Sequence, residues 1–173
     1  MLVIPLLSII AAGCLLVRTT EHRIKINPDG TGEATLRLVD LRSDASTDSA
    51  AFHDYGVMMG GLKEEGERDL EGRSRKLTGK KFTVRGDTLT AELTYLFLSL
   101  SSVDGIRMVG DELFFVVGEG EVVVKTNGKI ESWGPHGTRI VWKRDARQLM
   151  YQIRERKMPP SRSLAPFYTK YGQ

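Results

Sequence analysis

Cysteine is almost missing from this chain: Cys14 is the only one in 173 residues. A lone thiol closes no internal disulfide and builds no cysteine-based zinc site. Catalytic signatures are missing too. The sequence holds no Gly-x-Ser-x-Gly elbow, no P-loop, no His-Glu-x-x-His pair and no dinucleotide-type glycine motif leading into a helix. Its three histidines, His22, His53 and His136, stand far apart. No repeat period emerges. Charge of one sign is also scarce, since 25 basic residues against 22 acidic ones leave only +3, a weak field for capturing nucleic acid. The expectation is a protein that is not an enzyme, with no cofactor, no metal and no nucleic-acid partner.

What is present begins at the N-terminus. Met1 to Val17 carries no charge, and about seventeen residues lie at the lower edge of what spans a bilayer as a helix. Pro5 and Gly13 suit the apolar core of a signal peptide better than a uniform anchor, although no Lys or Arg precedes the run. The residues Ile10-Ala11-Ala12-Gly13 before Cys14 resemble the bacterial lipobox, with Ala11 where that pattern usually has Leu. The resemblance implies cleavage between Gly13 and Cys14, then acylation of the Cys14 thiol and its new amino group by palmitate-type chains. Several chains, at about 0.8 kcal/mol per buried CH₂, hold a protein to the bilayer far more firmly than one. The apolar Leu15-Leu16-Val17 keeps an uncleaved signal anchor open, and a buried cysteine in an ordinary N-terminal helix is the third reading.

Beyond Arg23 the pattern is mostly strand-like. In "RIKINPDGTGEATLRLVDL", Ile24 and Ile26 alternate on one side of a Pro-Asp-Gly turn, and Ala34, Leu36 and Leu38 on the other, which predicts a hairpin. A Ser/Thr/Asp cluster then precedes Phe52, Tyr55, Met59 and Leu62 at helical spacing. His53 lies beside that stripe, at a surface or boundary position. Glu64 to Lys81 reads as a solvated charged loop. "KKFTVRGDTLTAELTYLF" predicts a second hairpin about Gly86-Asp87. Gly110-Asp111, Gly118-Glu119-Gly120 and Asn127-Gly128 then punctuate further strands like meander turns, and "TRIVWK" with "QLMYQIR" reads as a final strand pair. The expected fold is α+β: one predominantly antiparallel, curved sheet of about seven to nine strands with one main helix on one face. Residues 1–13 are read as a lipoprotein signal peptide, 14–22 as the lipidated N-terminus and a short tether, 23–157 as the domain and 158–173 as an irregular tail. Phe167, Tyr168 and Tyr171 are candidates to dock that tail.

The segment "VVVKTNGKIESWGPHGTRIVWKRDARQL", with Asn127-Gly128 and Trp142, resembles bacterial lipoproteins of the mycobacterial LppM type, and the early "INPDGTG" resembles bacterial lipoproteins whose mature part opens with such a turn. The resemblance implies an α+β ectodomain tethered to a membrane, one able to bind lipid, and carries no catalytic residue. The expectation is therefore a membrane-anchored lipoprotein of the bacterial cell envelope, on the periplasmic face or outer surface. It is held to the bilayer through acylated Cys14 and acts as an interaction or scaffold module with an envelope protein or lipid partner. Two alternatives stay open: a lipid or amphiphile carrier with a cavity between sheet and helix, and an envelope enzyme. A carrier calls for an apolar pocket around positions such as Phe52, Met59, Leu93 and Phe97. The basic residues of the last third, Arg139 to Lys170, read as a solvated face or as contacts to anionic headgroups.

Overall fold

The structure, a computed structural model, describes residues 15–67, 74–134 and 137–172. Strands β1 (Leu15–Ile26) and β2 (Gly32–Ser43) form the first hairpin, in register from Ile26 opposite Gly32 to Leu15 opposite Ser43. At its tip the Asn27 N–H donates to the Thr31 carbonyl at 2.8 Å. The Asp29 carboxylate accepts from both the backbone N–H and the hydroxyl of Thr31, and Gly30 adopts φ 87°, which a side chain disfavours. Helix α1 (Asp48–Glu67) follows, then a second hairpin of β3 (Arg75–Arg85) and β4 (Thr88–Phe97) closed by Gly86 and Asp87. The remaining strands are β5 (Ile106–Val109), β6 (Glu112–Val117), β7 (Glu121–Thr126), β8 (Lys129–Ser132), β9 (Thr138–Lys143), β10 (Gln148–Glu155) and β11 (Arg162–Ser163). A short helix α2 (Ala165–Tyr171) ends the chain.

The main sheet has seven strands in the order β3-β4-β2-β1-β10-β7, with β11 pairing to the far end of β2. All its pairings are antiparallel. The fold is α+β with a curved, mainly antiparallel sheet. One source of the bend is visible where β1 meets β2. Ala34, Leu36 and Leu38 are buried on β2, but beyond Asp40 the buried positions become Leu41 and Ser43. Strand β1 changes phase in step, from Ile24 and His22 to Leu15, without losing register. Asp40, at φ 62°, occupies the kink in a conformation that Asp tolerates better than most residues, and Arg18 donates to its carboxylate at 2.6 Å.

Four strands leave this sheet for a second one, ordered β5-β6-β9-β8. Several short turns therefore change sheets instead of closing hairpins. β6 and β7 do not pair, nor do β7 and β8. The expected final pair, β9 with β10, is also split between sheets. Asn127 shows how the crossing is fastened. Its side-chain oxygen accepts from the Trp142 indole N–H at 2.7 Å in one sheet and from the Met150 N–H at 2.8 Å in the other. Gly128 is required there because a Cβ would lie 2.7 Å from Ile140 and Trp142. Phe115 stacks on Tyr151 at 4.3 Å between ring centres, so both sheets share one core.

Three boundaries differ from the sequence expectation. The expected loop from Glu64 to Lys81 holds the end of α1 up to Glu67 and β3 from Arg75, with Arg75 and Leu77 buried. The expected tether is strand: β1 starts at Leu15, itself buried, and runs through the centre of the main sheet. The expected irregular tail is folded as well. Arg162 donates to the Asp48 carboxylate and to the carbonyls of Ala45 and Ser46, tying β11 to the start of α1. The rings of α2 then pack, Phe167 and Tyr171 against Phe52, and Tyr168 against Phe82. The apolar stripe of α1 is also shifted. Its buried face is Ala51, Tyr55, Met58 and Leu62, whereas Phe52 is half-exposed beneath α2. Both sets of spacings fit one helical face, and Phe52 packs on Phe167 and Tyr171 of α2 instead of the sheet.

Candidate binding cavity

Curving the main sheet beneath α1 leaves a cavity of about 590 Å³, within the roughly 300–1,000 Å³ of small-molecule sites. Its floor is the inward face of the sheet, carrying Leu36 and Leu38 from β2, Leu93 from β4 and Ile153 from β10. Met58 and Leu62 of α1 form one wall, and Phe115 and Val116 of β6 another. Leu15, Leu16 and Val17 line one end. Of the four positions suggested for a pocket, only Leu93 lines it. Phe97 is buried in the core elsewhere, and Phe52 and Met59 lie off the lining.

The other end is polar and buried. His22 is 2% exposed, with Nε2 2.7 Å from the Tyr95 hydroxyl and Nδ1 3.0 Å from the Tyr151 hydroxyl. Both His22 and Tyr151 line the cavity. Burial, and after it the charge of Arg75, pushes the imidazole down to about 3, so the ring is neutral at physiological pH. Burial also raises the Tyr95 and Tyr151 phenols above their ordinary value. Behind Tyr95, the buried Arg75 donates to the Asp104 carboxylate at 2.7 Å, and its guanidinium lies 5.8 Å from the Tyr95 ring centre. The Arg75 Nη2 is buried with no hydrogen-bond partner among the described residues.

Acidic groups occupy the β7–β10 side of the cavity. Glu121 and Glu155 are directly opposed across those strands, and both line the cavity with Glu119. Partial burial raises the Glu121 carboxyl above the usual range, the nearby Glu155 carboxylate adds to the rise, and a 2.7 Å hydrogen bond from the Gly118 N–H opposes it.

Cys14 and Gly13 lie outside the described residues, as does His136. His53 is exposed on α1, away from buried His22. The importance of His22 was readable in one respect: it falls in phase with Ile24 on the inward face of β1. Among the described residues no three His, Cys, Asp or Glu side chains are placed to hold a metal. Among them, too, no helix is long and apolar enough to cross a membrane. Two of the basic residues of the last third serve the fold itself, Arg139 paired with Glu131 and Arg162 with Asp48.

The fold and its site together define an α+β protein of two sheets enclosing an apolar chamber with a polar end. No protein-family model matches the chain, and no curated protein or solved structure is significantly similar to it.

Proposed function

We propose that this protein is a lipid-anchored, amphiphile-binding protein of the bacterial envelope. The observation that carries the reading is the apolar cavity of about 590 Å³. A solid core with an exposed apolar patch would have favoured an interaction module. A cleft gathering a histidine with carboxylates or serine favours an enzyme, and His22 does line the cavity with Glu121 and Glu155, but both its ring nitrogens are held by the Tyr95 and Tyr151 phenols. Apolar walls with a few convergent polar groups are instead what a small-amphiphile site requires. The proposed anchor agrees with this reading. Leu15 lines the cavity and follows Cys14 directly, so acylation at Cys14 sets the outer end of the cavity beside the bilayer, where lipids enter and leave without crossing water.

The test is binding of an uncharged fluorescent probe, N-phenyl-1-naphthylamine, with native mass spectrometry of the purified protein for retained lipid. Micromolar probe binding is expected, weakened at least ten-fold in Leu38→Trp, which fills the cavity, and kept in Leu38→Met. Cys14→Ser is expected to lose acylation and membrane retention while binding the probe as before. A folded wild-type protein that holds neither probe nor lipid sinks the cavity reading and returns the interaction module. Membrane retention of Cys14→Ser with the apolar run uncleaved supports the signal anchor instead.

A further inference from the structure

We propose that the polar end of the cavity is a hydrogen-bond-donating subsite, built by His22, Tyr95 and Tyr151, that holds the carbonyl oxygen of an acyl ester or carboxyl group. The inference rests on the reading of the cavity as an amphiphile site and specifies which part of the ligand lies where.

It follows from counting protons. A neutral imidazole offers one N–H and one lone pair, and each phenol offers one O–H. The three side chains thus bring three donor protons, while only two hydrogen bonds join them, His22 to Tyr95 and His22 to Tyr151. One phenolic proton remains without an acceptor whichever nitrogen carries the imidazole hydrogen. Protonating the ring makes the surplus two, so the count does not depend on the charge of His22. Neither phenol has another hydrogen-bond partner among the described residues. A buried donor left unmade is costly. With the imidazole hydrogen on Nδ1 the surplus proton is that of Tyr151, which lines the cavity beside His22, while Tyr95 holds Nε2 from behind the lining.

The surroundings select the kind of acceptor. Arg75 stands next to this end with an unpartnered Nη2, so the local potential favours an oxygen carrying partial negative charge. Asp104 already balances the guanidinium charge, so the ligand oxygen needs no full charge of its own. Glu155 lies four residues along β10 from Tyr151, about 13 Å at strand spacing and level with the Leu15–Val17 end, so its charge is remote from this subsite. An uncharged carbonyl at the His22 end, with its hydrocarbon along Leu36 and Leu38, satisfies both conditions.

The experiment compares dodecane, methyl dodecanoate and dodecanoic acid as competitors of N-phenyl-1-naphthylamine. In the wild type the oxygenated ligands are expected to bind about three- to ten-fold more tightly than dodecane, the increment of one buried hydrogen bond. Ester against acid identifies the carbonyl source. In the triple variant His22→Leu, Tyr95→Phe, Tyr151→Phe, apolar groups of similar shape replace the network. That preference, read as the ratio of ester to dodecane affinity within the same variant, is expected to vanish. Infrared spectra of bound ester labelled with ¹³C at the carbonyl provide a second measurement on the wild type alone. The carbonyl band is expected below its position in dry hydrocarbon. Equal binding of dodecane and ester, or an unshifted band, overturns the subsite, as does a triple variant that keeps the preference. Failure of all three competitors to bind overturns the cavity reading instead.

Discussion

A histidine enclosed by tyrosines makes stability depend on pH at the scale of one residue. In the unfolded chain His22 takes up a proton near 6.5, whereas in the fold it does so only at about 3. Between those values the unfolded state binds the extra proton, so stability rises with pH across the window. The contribution is complete above pH 6.5 and is lost as pH falls toward 3, by about 1.4 kcal/mol per unit. Glu121 works in the opposite sense, because its raised carboxyl pKa weakens the fold as pH climbs through it. The two are separated by substitution. Urea midpoints of the wild type are expected to fall between pH 6.5 and 4. His22→Gln, which keeps a polar group between the phenols, is expected to start lower at pH 7 but fall much less steeply. Parallel slopes for the two proteins would assign the acid sensitivity to other groups.

At the scale of elements, helix α1 is less stable than its position allows. Gly56 and Gly60 lie in its interior, and a Cβ at either meets no atom within 4 Å. Each Gly→Ala change is expected to add about 0.5–1 kcal/mol by restricting the unfolded backbone. The double variant should melt roughly 2–8 °C higher by calorimetry, with probe binding unchanged because the cavity side of the helix is Met58 and Leu62. An unchanged or lower melting temperature contradicts this account of α1. The existence of α1 and of both long hairpins was legible in the sequence, since each is specified by neighbouring residues. The sheet to which a strand belongs was not, because alternation around Phe115 or Tyr151 reads the same whichever sheet receives it. Nor was the cavity legible. Leu36, Leu38 and Leu93 are core-type residues whether or not α1 closes the space above them. Strand β1 was hidden for another reason: its first residues, Leu15 to Val17, continue the apolar run that precedes them and mask the two-residue period. Helix α2, seven residues long, is too short to declare a period at all.

At the scale of the whole molecule, the folded unit reaches back to Leu15. Deleting residues 15–22 removes the partners of β2 from Leu36 to Ser43 and of β10 from Tyr151 to Arg154. A chain beginning at Arg23 is expected to lose cooperative unfolding in urea and to be digested rapidly by trypsin. A sharp transition near the wild-type midpoint would show instead that these residues are dispensable. The same arrangement has a consequence for timing. β1 sits between β2 and β10, and Thr19 pairs with Arg154, so the centre of the sheet stays open until nearly the whole chain has emerged. Pairings this distant in sequence are slow to form. The protein therefore reaches its final shape only after β10 is made, however early its first hairpin forms.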